Sequence, residues 1–173
     1  MKVLDRFTAI CSRVLTPKWA HDPVSGAGAA LRGGRANRPG VDALYLALDV
    51  HTAVTEYQQL SPLMPPGTLV SYEVSIGPVV DFRAGYVRGS WNPLWQDFLC
   101  DWRSLVFDLN IEPPSWVLGD LVIAAGAKGI LFGSRLVPGG INLVLYTGHL
   151  NEADILKPYD PGQLLPKNAD SWN

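Results

Sequence analysis

The chain has 173 residues, 47% apolar and only 17% charged, with six tryptophans: material for one ordinary domain with a real core, and too little charge for a disordered chain. A net charge of −2 and a pI of about 5.8 give bulk electrostatic binding to DNA or RNA no support. Cys11 and Cys100 stand far apart and form neither a CxxC pair nor a disulfide framework, so a reduced, cytoplasmic setting is expected.

In chain order, Lys2, Asp5, Arg6 and Arg13 interrupt any apolar leader, which makes the N-terminus a poor secretory signal. No window approaches the roughly 20 apolar residues of a membrane span. His21 to Gly40, rich in Gly, Pro, Arg and Asn, reads as loop, GAGAAL (26–31) included. Leu44 to Leu48 reads as a buried strand. Asp49 offers an N-cap for a helix over VHTAVTEYQQL, in which Val50, Val54, Tyr57 and Leu60 recur at helical spacing. Ser61-Pro62 and Pro65-Pro66-Gly67 end that helix. TLVSYEVSI (68–76) alternates as a half-exposed strand does, and 78–86 adds a short one.

The stretch 92–110 predicts a long helix with an apolar stripe of Leu94, Phe98, Trp102, Leu105 and Leu109, closed by Pro113-Pro114. Ser115 to Ala125 predicts a buried helix. GILFGSR and INLVLYTG predict two strands joined by the hairpin-like loop LVPGG. The segment after Gly148 is polar and proline-containing and predicts no element. Strands and helices mix without βαβ alternation, so the expected fold is a single α+β domain over 1–173, with a curved, mostly antiparallel sheet and flanking helices.

Several chemistries are excluded. GAGAAL lacks the third glycine and the preceding strand of a dinucleotide fingerprint, and no GxxxxGK[ST] loop occurs. No GxSxG elbow occurs, since GSRLVPG places Ser134 after one glycine only. His21, His51 and His149 are isolated, with no HExxH and no paired cysteines, so no metal site is expected.

Four polar residues remain in places where structure alone would choose otherwise. Arg35 follows Gly33 and Gly34, Tyr45 lies inside an apolar strand, Glu56 sits on the next helix, and Ser134 interrupts GILFGSR. Singly, each has an ordinary reading: a solvated arginine, a core tyrosine, a wet-face glutamate, a small strand filler.

Together with their surroundings they match a family pattern. RGGRANRPG, LYLALDVHTAVTEY and ILFGSRLVPGGINLVLY resemble the RES domain, the toxin half of RES–Xre toxin–antitoxin pairs, over about 13–148. Gly33, Gly34, Arg35, Asn37, Gly40 and Tyr45 fall on its first block, Glu56 follows on a helix, and Ser134 and Asn142 fall in the last block. The aromatic usual after the arginine is Ala36 here, a change expected to widen the pocket or to move its stacking wall.

The resemblance implies an ADP-ribosyltransferase-like fold that takes NAD+ as substrate, needs no cofactor, and breaks the nicotinamide–ribose bond. Water, phosphate or a protein would accept the ADP-ribose, and growth would stop. It also implies an Xre-type helix-turn-helix antitoxin as partner and a homodimer within the complex; the charge balance and the short apolar runs lead us to expect no direct nucleic-acid contact and no membrane. Arg35, Glu56 and Ser134 are then the catalytic candidates; Arg32, Gly33, Gly34, Tyr45, His51 and Asn142 are the substrate-binding ones. The residue chemistry is compatible: arginine forks suit a pyrophosphate, glycines admit backbone N–H groups to the same anion, a tyrosine face suits flat cationic nicotinamide, and a carboxylate suits an oxocarbenium-like ribose. Two rivals stand beside this reading: protein ADP-ribosylation at the same site, and a non-catalytic binding module.

Overall fold

Alternation within the apolar strands gives each of them two sides to bury. In the computed structural model, which describes residues 1–168, eight strands form one sheet. They are β1 (Val3–Leu4), β2 (Phe7–Leu15), β3 (Leu44–Ala47), β4 (Thr68–Ile76), β5 (Val79–Phe82), β6 (Gly129–Gly133), β7 (Ile141–Leu145) and β8 (Ile155–Pro158). Their order across the sheet is β1-β5-β6-β7-β3-β2-β4-β8, and every neighbouring pair is antiparallel except β5–β6. The fold is therefore the expected single α+β domain with a mostly antiparallel sheet; its expected end, 169–173, lies outside the described residues.

Period-two alternation sorts the side chains into two cores. Leu44, Leu46, Leu131, Leu143 and Leu145 join Tyr72, Val74 and Ile76 on one face. Ile130, Phe132, Val144 and Tyr146 join Phe82, Trp95, Phe98, Leu118 and Val122 on the other. Each such side chain contributes about 1.5–3 kcal/mol by burial. Coverage on both faces is why GILF and LVLY read as continuous apolar runs.

The chain forms three helices, α1 (Ala27–Arg32), α2 (Val50–Gln58), which packs on β2 and β3, and α3 (Pro114–Ala124), which packs on β6. The last agrees with the expected helix and begins on proline, whose missing N–H has no partner in a first turn. Asp49 caps α2 as expected, accepting from Thr52 N at 2.8 Å and from Thr52 Oγ1 at 2.7 Å.

Four expectations need correction. GAGAAL is not loop but α1, ended by Gly33 at φ 80. The apolar stripe expected on α2 is not its buried face: Thr52 and Ala53 are buried, whereas Val50 and Leu60 are 46% and 89% exposed. The long helix over 92–110 is two separate turns, a 3-10 turn at Pro93–Asp97 and a π turn at Ser104–Asp108. Between them the Phe98 and Cys100 carbonyls accept from the Arg35 guanidinium at 3.3 and 2.8 Å. These are the oxygens a continuous helix would give to the N–H groups four residues on. Finally, β1, β2 and β8 lie in segments for which no strand was expected, and β2 pairs with β4 over nine residues, from Phe7↔Ile76 to Leu15↔Thr68.

Candidate active site

Glu56 is placed by α2 and fixed by two strands. Helix α2 packs over β2 and β3, and Glu56 lies one turn beyond buried Thr52 on the inward face. Ser134, just after β6, donates from Oγ to Glu56 Oε1 at 2.8 Å. Asn142 on β7 donates from Nδ2 to the same oxygen at 2.7 Å. Ser134 is held in turn, because its Oγ accepts from Leu136 N and Val137 N at 3.1 and 3.0 Å. A carboxylate with one oxygen pinned this way keeps its direction.

The carboxylate faces a cleft of about 370 Å³, walled by β2, β3, α2 and the 33–35 loop. The charged residues that line it are Glu56 and three arginines, Arg13, Arg35 and Arg103. The cleft is therefore positive on balance and suits an anionic ligand. Arg35 is half-buried; burial, and then the neighbouring Arg135 charge, push its pKa down from the ordinary arginine value. Its Nη1 is spent on the Phe98 and Cys100 carbonyls, which sets the direction of the remaining N–H groups.

Arg13 differs. It points from β2 into the cleft, and its Nη1 is the one buried side-chain nitrogen or oxygen without a hydrogen-bond partner among the described residues. Burial depresses its pKa, against the opposing influence of Tyr72 and Tyr45. A guanidinium nitrogen closed to solvent and without a partner is costly, and Arg13 is the cation that β2 contributes to the cleft wall. At the mouth, Arg103 lies 4.8 Å above the ring of Trp102, which also lines the cleft.

Tyr45 presents its ring to the cleft, but its hydroxyl is engaged in structure. It donates to Asn37 Oδ1 at 2.7 Å and accepts from Ala36 N at 2.9 Å. Enclosure pushes its pKa well up. Asn37 is the hub of the arginine loop: buried, it donates from Nδ2 to the carbonyls of Ala29, Arg38 and Val41.

The two glycines do not offer their N–H groups to a ligand, because Gly33 N bonds Ala29 O and Gly34 N bonds Asn37 O. They serve close packing instead. A Cβ on Gly33 would lie 2.6 Å from the Trp116 ring, and one on Gly34 would lie 2.5 Å from Tyr45 Oη. Trp116 Nε1 donates to Gly34 O at 2.7 Å, which locks α3 against the loop.

Of the other sequence candidates, Asn142 lines the cleft, whereas Ser134 stands behind Glu56. Arg32 is exposed at the end of α1 and His51 is exposed on α2; neither lines the cleft. Arg38 is held by Asp120 and Glu112. Ala36 is fully buried beneath the loop and lines no part of the cleft, with its carbonyl accepting from Tyr146 Oη at 2.9 Å. The pocket is therefore not widened there. Arg13, Trp102, Arg103 and Gln59 line the cleft without having been singled out from sequence. Only Arg13 carried a local signal, as the one charge inside CSRVL. Among the described residues, no cluster of three or more His, Cys, Asp or Glu is placed to hold a metal ion, and no helix is long and apolar enough to cross a membrane.

An α+β domain with one fixed carboxylate in an arginine-lined cleft is thus defined. The RES domain family model matches residues 10–166, and the chain belongs to that family. Among solved structures it is similar to one described as the M. tuberculosis MbcT-MbcA toxin-antitoxin complex. The TM-score is 0.63, with 21% identity, over 90% of this chain and 84% of that one, a likeness of fold. Among curated proteins, none matches the chain.

Proposed function

We propose that this protein is the toxin of a toxin–antitoxin pair and cleaves NAD+ at the nicotinamide–ribose bond, passing ADP-ribose to water or phosphate. The observation that carries the proposal is the Glu56 carboxylate, fixed on one oxygen by Ser134 and Asn142 and facing the same cleft as the unpartnered Arg13. Membership of the RES family and the fold shared with a chain from a toxin–antitoxin complex support it.

Arg13 and the free N–H groups of Arg35 bind the pyrophosphate, with Arg103 at the outer end. The Tyr45 ring stacks on nicotinamide and favours its positive charge while it remains bonded to ribose. The bond from ribose C1′ to the nicotinamide nitrogen breaks, and its electron pair leaves with the now neutral nicotinamide. Positive charge develops on the ribose, and Glu56 stabilises it. A water or phosphate oxygen then bonds to C1′; when water attacks, its proton is released. Ser134 and Asn142 position Glu56, and no covalent enzyme intermediate is needed. We assign the protein to the cytoplasm, with an Xre-type antitoxin that neutralises it and a homodimer within the complex.

The test is to incubate purified protein with NAD+ labelled in the adenosine half, with and without phosphate. Free nicotinamide with free ADP-ribose, or with its phosphate ester, supports the proposal. Label on a macromolecule favours protein ADP-ribosylation. An inert protein with harmless overexpression favours the binding module.

A further inference from the structure

Helix α2 stops at Gln59, whose backbone sits at φ 55, ψ −132. Those angles are close to the first inner position of a type II′ turn, where glycine is the usual residue. A side chain held there is strained, and such strain persists where the surroundings over-determine it, often at functional sites. A helix stop by itself calls for glycine or asparagine. Here the chain keeps a long amide, and that amide turns back onto the carboxylate of the cleft. Gln59 Nε2 donates to the Glu56 main-chain carbonyl and lies 3.4 Å from Glu56 Oε2. Oε1 is already held from the other side by Ser134 and Asn142. Gln59 also lines the cleft. Oε2, the oxygen left to face a ligand, thus has Gln59 as its one hydrogen-bond donor among the described residues.

We propose that Gln59 is a positioning residue for the reaction: its carboxamide, delivered by a strained helix end, fixes the plane of the Glu56 carboxylate through Oε2. Ser134 and Asn142 fix one oxygen but leave rotation about that point open; the third donor closes it. The proposal rests on the NAD+ reading for its substrate and on the geometry of Glu56 for the rest.

Two variants of the full chain separate this role from that of a helix stop. Gln59→Gly suits the backbone and removes the amide. Gln59→Met keeps the length and the backbone constraint and removes only the donor. Both are expected to lower kcat for nicotinamide release about tenfold while KM stays within about twofold, as for a contact that matters only in the transition state. The Tm of Gln59→Gly is expected to equal or exceed that of the unsubstituted protein, because glycine fits those angles. Growth arrest on expression should weaken in parallel. If the unsubstituted protein arrests growth without releasing nicotinamide, the NAD+ reading fails, and growth arrest alone then reads Gln59. Undiminished kcat, or undiminished growth arrest, in both variants would overturn the proposal.

Discussion

Two side chains that line one cleft carry the proposed chemistry, and the structure treats them differently. Glu56 is supported by donors, whereas Arg13 Nη1 is left without an acceptor. Removing a buried, unpaired charge in favour of an apolar chain of similar length is commonly neutral or stabilising. Arg13→Met is therefore expected to leave Tm unchanged or raised while KM for NAD+ rises about tenfold to a hundredfold, the worth of one charge-assisted hydrogen bond. Thermal unfolding and steady-state kinetics on the same preparation check this; a large loss of Tm with unchanged KM would make Arg13 a structural residue. Arg35, Tyr45, Glu56 and Asn142, which line the cleft, came forward in the sequence through the blocks that resemble the RES domain. Arg13 did not, because a lone strand arginine has no spacing to read and its isolation exists only in three dimensions. Gly33 and Gly34 were legible as special but not for the right reason, since what they make room for is Trp116 and Tyr45.

At the scale of elements, α2 is a nine-residue helix whose task is to carry Glu56. Its start was readable from Asp49, because capping is local chemistry. Its buried face was not, because Thr52 and Ala53 win that face only through packing: Thr52 Oγ1 would meet a Cβ on Gly140 at 2.5 Å. Asp49→Ala should cost about 1 kcal/mol in chemical denaturation, the usual worth of an N-cap, and should lower kcat through Glu56. The segment 92–110 shows the opposite limit of sequence reading. Its apolar spacing is that of one helix, but Arg35, some 65 residues away, takes the carbonyls that would continue it. Arg35→Ala is accordingly expected to speed amide hydrogen exchange around Phe98–Trp102. Unchanged protection there would show that the break in the helix is set by the segment itself.

Across the whole molecule, the strand order β1-β5-β6-β7-β3-β2-β4-β8 brings distant segments together that no local pattern announces. Lys128, before β6, meets Asp154, before β8, in a buried ion pair at 2.5 Å, and Asp154 also accepts from Gly77 N and Asn151 N. Burial pushes the Asp154 carboxyl up, but the Lys128 hydrogen bond and the two backbone donors outweigh it and hold the group below the ordinary carboxylate value of 3.8. A depressed folded-state pKa means that this stabilisation is complete above the ordinary value and is lost as pH falls through the folded one. Asp154→Ala, which strands the lysine, should cost about 3 kcal/mol near neutral pH, and the difference from the unsubstituted protein should shrink below about pH 4. Urea denaturation at pH 7 and at pH 3 reads both halves of that statement. The central claim is that Glu56 supplies the charge that breaks the nicotinamide–ribose bond, and nicotinamide release at saturating NAD+ by the protein and its Glu56→Gln variant tests it most directly. Release by the unsubstituted protein, reduced about a hundredfold to a thousandfold in a variant of unchanged fold, is the predicted result; no release from protein freed of its partner, with or without phosphate, or equal release from both, would contradict it.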